Sequence, residues 1–190
     1  MPYRRDPFIQ GNFYHVYNRT VRDTPFAFVP ENYTYFLRLV QRCREVYSAG
    51  VVTYCLMPNH FHFLLRQEAD QPLSSFMQAL LNAYVQAVNR QQKRRGPLFE
   101  SRFRHARVED ETYLTHLCRY IHLNPVKAGL ADVPEGWPYS NYRDWLGLRA
   151  GTLKDDEFIR EHFGTPAEYR AFVDRWRVEE EKIPDRYRWD

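Results

Sequence analysis

The sequence predicts an α+β domain built on an antiparallel sheet, and three observations predict it. Segments rich in β-formers alternate with segments of helical periodicity across residues 12–123. The pair Pro58-Asn59 splits one long β-rich run into two strands, the mark of a hairpin. Helical and extended segments then follow one another in the order β-α-β-β-α-β-α.

Each element has a local reason. "NFYHVYN" (12–18) alternates as a first strand should. "PENYTYFLRLVQRCREVYSAG" carries Phe36, Leu37, Val40, Cys43 and Tyr47 at helical spacing, with Gly50 as the expected stop. "VVTYCLM" and "HFHFLLR" are the two arms of the hairpin. A second helix is expected from about Leu73 to Gln91, capped by Ser74 or Ser75, with Phe76, Leu80, Leu81 and Tyr84 on its apolar face. "RFRHARVE" suits a fourth strand. A third helix is expected from about Glu111 to Leu123, with Leu114, Leu117, Cys118 and Ile121 along one side. The order is that of a split βαβ, or ferredoxin-like, sheet with helices on one face and one helix added after it. Beyond Pro134, "PEGWPYSNYRDW" reads as irregular, and "DDEFIREHFGTPAEYRAFVDRWRVEEEK" as one or two short amphipathic helices. The expected division is a domain over 1–130 and a C-terminal extension over 131–190, packed on or beside it.

Composition narrows the classes. At 190 residues and 44% apolar, the chain can bury a real core. No apolar run nears the roughly 18 residues of a membrane helix, so no membrane partner is expected. "MPYRRDPF" has no apolar run behind it and does not read as a signal peptide. Cys43, Cys55 and Cys118 form no CxxC pair and read as reduced thiols of a cytoplasmic protein. The net charge of +3 decides nothing, but its distribution is uneven. In "RQQKRRGPLFESRFRHAR" (90–107), Glu100 stands alone among Arg90, Lys93, Arg94, Arg95, Arg102, Arg104 and Arg107, with Phe99 and Phe103 interleaved. Cations beside exposed aromatics suit a nucleic-acid backbone and unstacked bases. A solvated basic loop has the same composition.

The chemistry-bearing residues are His60 and His62. Residues i and i+2 of a strand point to one side, so the two imidazoles project together, opposite Phe61 and Phe63. Such a pair can hold one divalent metal, and it also occurs on ordinary polar sheet faces. In the third helix Tyr120 and Asn124 lie one turn apart, on a shoulder with Tyr113 and His116. Pro125 makes Asn124 the expected last helical residue. A nucleophile and an oxygen ligand are one reading of Tyr120 and Asn124; ring packing and helix termination are the other. His15, His105, His122 and His162 read as structural.

Four motifs in order resemble a known family. "LMPNHFHFLL" is similar to the histidine–hydrophobic–histidine motif of the HUH single-strand endonucleases. "YIHLNPVKAGL" resembles the tyrosine segment of their transposase branch, in particular the REP-associated tyrosine transposases. "GNFYHVYNRT" and "GPLFESRFRHARVE" match the same pattern, and the resemblance spans roughly Gln10 to Tyr142. It implies that His60, His62 and Asn124 bind Mg²⁺ or Mn²⁺ and that Tyr120 is the nucleophile. In several relatives the third ligand is Gln, and Asn124 here suits the REP-associated branch better than the general insertion-sequence branch. It implies cleavage of single-stranded DNA beside hairpins through a 5′-phosphotyrosine link, by a monomer or a homodimer in the bacterial cytoplasm. The basic stretch 90–107 would then grip phosphates.

Two other classes fit parts of the pattern. A non-catalytic or domesticated binder of hairpins would use the same sheet without cutting. A structural zinc protein would need a thiolate cluster. Cys55 is the nearest thiol, and simple alternation turns it away from the histidines.

Overall fold

The computed structural model describes residues 7–70 and 72–175. The expectations placed on residues 1–6, and on the tail beyond Arg175, lie outside the described residues. The chain runs β1 (Phe13–Arg19), α1 (Pro30–Tyr47), β2 (Ala49–Leu56), β3 (His60–Gln67), α2 (Leu73–Gln91), β4 (Arg104–Val108) and α3 (Glu111–Lys127). A 3-10 turn at Pro134–Gly136 then leads to α4 (Tyr142–Trp145), α5 (Asp156–Phe163) and α6 (Pro166–Asp174). The strands form one sheet in the order β2-β3-β1-β4, every neighbouring pair antiparallel. This is the ferredoxin-like arrangement expected, with β1 and β3 at the centre.

The two sheet faces carry two cores. Tyr14, Val16, Phe61, Phe63 and Leu65 point toward α1 and α2, where they meet Phe36, Val40, Leu80 and Tyr84. The opposite face presents Val52, Cys55 and Leu64 to Leu117, Tyr120 and Ile121 of α3. A register shift between Val51 and Thr53 lets Val51 face the first core and Val52 the second. The added helix thus covers the face that α1 and α2 leave open.

Several boundaries differ from expectation, each for a local reason. The chain leaves α1 through Ser48 in the left-handed region (φ 47°), and Gly50 lies inside β2 opposite Arg66. A Cβ at Gly50 would come within 2.6 Å of the Glu68 carboxylate and 3.1 Å of Arg66 Cβ, so a larger residue there would make both side chains shift. At α2 the first backbone N–H, that of Leu73, donates to Gln67 Oε1 at the end of β3; neither Ser74 nor Ser75 caps the helix. Helix α3 does not stop before Pro125 but runs on to Lys127. Proline removes one backbone donor there, and the Asn124 amide nitrogen donates to the Tyr120 carbonyl at 3.0 Å.

The extension explains why α3 is buried nearly all round, from Leu117 through Pro125 without a break. Its Tyr142, Trp145, Phe158, Ile159, Tyr169 and Val173 close over the side of α3 that faces away from the sheet. A single apolar stripe is therefore the wrong description of this helix. The extension also covers the outer edge of β2. Leu56 N–H donates to Tyr139 O, the Trp137 indole donates to Leu56 O, and Tyr54 N–H donates to Asn141 Oδ1. "PEGWPYSNYRDW" is less irregular than expected, since Tyr142–Trp145 forms a helical turn. The two amphipathic helices are both present, α5 capped by Asp155 and α6 by the Thr165/Glu168 capping box.

Candidate active site

Cross-strand pairing builds the site. On the α3 face, Cys55, His62, Tyr17 and Arg104 lie side by side across the four strands. His60 pairs with Arg19 beside this row, and His15 with Leu64 and Ala106 on its other side. The rings of His60 and His62 stand 5.0 Å apart and perpendicular. Phe61, between them, is fully buried in the opposite core.

Both histidines are held through Nδ1. His60 Nδ1 lies 2.6 Å from Asn59 Oδ1. His62 Nδ1 lies 2.9 Å from His15 Nε2. For His62 this leaves Nε2 as the remaining nitrogen. His62 is fully buried, and burial, reinforced by the charges of His15 and His60, holds its pKa well below the usual imidazole range. Burial likewise pushes His15 down to about 3. Both are neutral near pH 7, the form in which imidazole ligates a metal.

Helix α3 brings Tyr120 to the pair. Its ring meets His62 edge-on at 5.7 Å and His15 at 6.5 Å. Tyr120 is 5% exposed and packs in the second core, so it does not sit on a polar helix edge. The Lys127 ammonium lies 5.3 Å from its ring centroid, two turns further along. Asn124 follows Tyr120 by one turn, and its nitrogen is committed to the Tyr120 carbonyl, which leaves Oδ1 as its remaining donor atom. Tyr113 packs in the same core, whereas His116 turns outward onto Arg119 and the Phe172 ring.

The donor set fits a hard divalent ion: two imidazoles and one amide oxygen, with room in the set for phosphate and water oxygens. Among the described residues no cluster of three or more His, Cys, Asp or Glu is arranged to hold a metal. A metal here thus depends on Asn124 and on oxygens from outside the chain. Cys55 departs from expectation, because the register places it opposite His62 on the same face. Its thiol contacts Met57 Sδ at 3.7 Å, and burial drives its pKa up. It is an inert packing residue.

The basic stretch divides. Arg90, Lys93, Arg95 and Arg102 are exposed around the end of α2 and the loop to β4. Arg94 folds back over the Phe28 ring at 5.5 Å, with Nη1 buried. Arg107 pairs with Glu109. Arg104 shares the sheet row of His62. Phe99 is buried against Phe26 and Phe61 and offers no stacking surface, which corrects the expectation of exposed aromatics. Phe103 is half-buried.

Sequence reasoning did not bring His15 beside His62 or Lys127 beside Tyr120. Strand alternation puts His15, Tyr17 and Arg19 on one face of β1, but no local signal says that β1 lies beside β3. His105, stacked on Phe8, and His162, stacked on Phe158, keep structural roles. So does His122, which bonds Thr53, Asn141 and Tyr169.

Among the described residues, no helix is long and apolar enough to cross a membrane. The chain is similar to a REP-associated tyrosine transposase of Haemophilus influenzae, 27% identical over 174 residues, covering 81% of this chain and 98% of that protein. Its fold is similar to that of a REP-associated tyrosine transposase solved bound to a REP hairpin, with a TM-score of 0.67 at 19% identity, over 83% of this chain and 96% of that one. The family described as IS200-like transposase matches residues 13–124, which span β1 through Asn124 and so include both histidines and the tyrosine helix. The chain belongs to the IS200-like transposases.

Proposed function

We propose that this transposase is a divalent-metal-dependent endonuclease and strand transferase, acting on single-stranded DNA beside hairpins through a covalent link to Tyr120. The observation that carries this reading is the Tyr120 ring set edge-on against His62, on the sheet face that also bears His60. His60, His62 and Asn124 would hold Mg²⁺ or Mn²⁺ through Nε2, Nε2 and Oδ1. Such an ion polarises a phosphodiester and offsets its charge.

The remaining work falls to the chain. A phenol has a pKa near 10 and needs a positioned electrophile to react at neutral pH. Packing in the second core holds Tyr120 in one place. Its Oη attacks phosphorus and gives up its proton to water. The bond to the 3′ oxygen breaks, and that oxygen takes up a proton. The products are a 5′-phosphotyrosine and a free 3′-OH. Attack by another 3′-OH reverses the step, so the phosphodiester energy is conserved and no cofactor is consumed.

Residues 1–130 form the catalytic domain in this reading, and 131–190 the extension, whose described residues 131–175 hold α3 from behind. Arg90, Lys93, Arg95, Arg102 and Arg104 contact phosphates; Arg94 and Arg107 contribute less, because each already has an intramolecular partner. The names of the relative and of the solved neighbour favour REP-like hairpins as substrate. The Tyr120–His62 contact within one chain favours action as a monomer.

The test is incubation of the full-length protein with single-stranded hairpin DNA from the flanks of its own gene, with Mg²⁺ or Mn²⁺, followed by a denaturing gel. A covalent band that vanishes with EDTA and in Tyr120→Phe is expected. Binding without a covalent band would instead make the chain a non-catalytic or domesticated hairpin binder. A band that persists in Tyr120→Phe would remove Tyr120 as nucleophile. Restoration of cleavage on mixing Tyr120→Phe with His62→Ala would replace the monomer by a homodimer with exchanged tyrosines.

A further inference from the structure

We propose that His15 is a positioning residue for the metal: its Nε2 accepts a hydrogen bond from His62 Nδ1–H and so directs His62 Nε2 to the cation. The inference rests on the metal reading above. It starts from the 2.9 Å contact between two rings that are both fully buried and nearly parallel (18°). A contact of that length requires one proton between the nitrogens, and two arrangements supply it. If His15 donated, the His62 proton would sit on Nε2, and His62 could not ligate. If His62 donates, Nε2 carries the free lone pair. Nδ1 itself is blocked by the His15 ring, so Nε2 is the only nitrogen His62 can offer.

The same device is present next door. Asn59 Oδ1, an acceptor, sits 2.6 Å from His60 Nδ1 and places that ring's proton away from Nε2. His15 does for His62 what Asn59 does for His60. Hydrogen bonds on the far nitrogen of a metal-bound imidazole fix its tautomer and orientation.

A second observation concerns why position 15 is a histidine at all, since its Nδ1 is orphaned in either arrangement. In the ligating arrangement the proton of His15 lies on its own Nδ1, which is buried and has no hydrogen-bond partner among the described residues. Orphaned buried polar atoms are rare, and each calls for an explanation. A phenylalanine or leucine at position 15 would fill the same space against Tyr17 and Tyr120 with no orphan at all. Histidine is accounted for if the acceptor it supplies to His62 is needed.

The experiment compares wild type with His15→Phe, His15→Gln and His62→Ala, all full-length. Mn²⁺ affinity is read from the electron paramagnetic resonance of the free ion. The His62 tautomer is read from long-range proton–nitrogen spectra with Mg²⁺, and the His122 signals in the same spectra report that the fold is intact. His15→Phe is expected to weaken Mn²⁺ binding about 10- to 100-fold and to lose the Nδ1–H signature of His62. Glutamine at position 15 carries an acceptor oxygen and is expected to restore both. Unchanged affinity and an unchanged His62 signature in His15→Phe would overturn the proposal while leaving the metal reading standing. So would failure of His15→Gln to restore what His15→Phe loses, which assigns His15 to packing alone. Mn²⁺ binding indifferent to His62→Ala would overturn the metal reading itself, and this proposal with it.

Discussion

Two buried histidines flank α3, and their surroundings differ in one respect. His122, on the helix, has both ring nitrogens satisfied by the protein. Its Nε2 contacts Thr53 Oγ1 at 2.7 Å and donates to Asn141 Oδ1 at 2.9 Å, and its Nδ1 accepts from the Tyr169 hydroxyl at 2.5 Å. His62, on the sheet beyond the opposite flank of the helix, has one nitrogen held by another histidine whose own second nitrogen is orphaned. Both rings are kept neutral by burial. Complete satisfaction marks a structural node, because nothing remains to offer a ligand. Incomplete satisfaction, beside a tyrosine, fits the site proposed above, where a ring nitrogen must stay available to a ligand. Tyr120 and His122 stand two residues apart, nearly opposite on the helix, and so separate the two roles.

The sharpest way to break this comparison is Tyr120→Phe. Cleavage of single-stranded hairpin DNA is expected to fall by about 10⁴-fold or more, with urea-unfolding stability changed by no more than about 1 kcal/mol. A large loss of stability would mean that Tyr120 belongs with the structural node. Asn141→Ala tests the other side. Asn141 accepts from Thr53, Tyr54 N–H and His122, and donates to the carbonyls of Val52 and Leu153. Its truncation orphans several buried groups and is expected to cost on the order of 3–5 kcal/mol in urea unfolding. Mn²⁺ affinity of the folded fraction is expected to stay at the wild-type value.

Acid should act on the structural node next. The pKa of His122 is lowered from 6.5 to about 4, by burial against the opposing bond to Asn141. Below pH 6.5 the unfolded chain binds a proton that the folded chain refuses, so stability falls as pH drops from 6.5 and levels off below 4. The contribution is on the order of 3 kcal/mol. Urea unfolding at pH 7, 5 and 4 should show it, with a weaker pH dependence in His122→Gln. An equal dependence in that variant would assign the effect to other groups. The smallest expected effects are outside both nodes. Arg95→Ala and Arg102→Ala should each lower the salt slope of DNA binding by about 0.7–0.9, with no change in unfolding.

Much of the proposed site was readable because its signals are local. Alternation alone sets His60 and His62 on one face, and a spacing of four sets Tyr120 and Asn124 one turn apart. The helix end was misread because Pro125 is a local signal that α3, packed on all sides, overrides. Phe99 was misread as exposed because its neighbours in sequence are charged, while its neighbours in space are Phe26 and Phe61.

What the sequence determined by itself is what a few residues of chain can encode: the strand and helix order, the two histidines on one face, and the motifs that resemble the family. Only the tertiary structure decided that β1 lies beside β3, and therefore that His15 touches His62 across 47 positions. It also decided that residues 131–175 close over α3 and bury it on every side. Both facts depend on which surfaces meet. That is settled by the summed burial of two cores, and no stretch of sequence carries it alone.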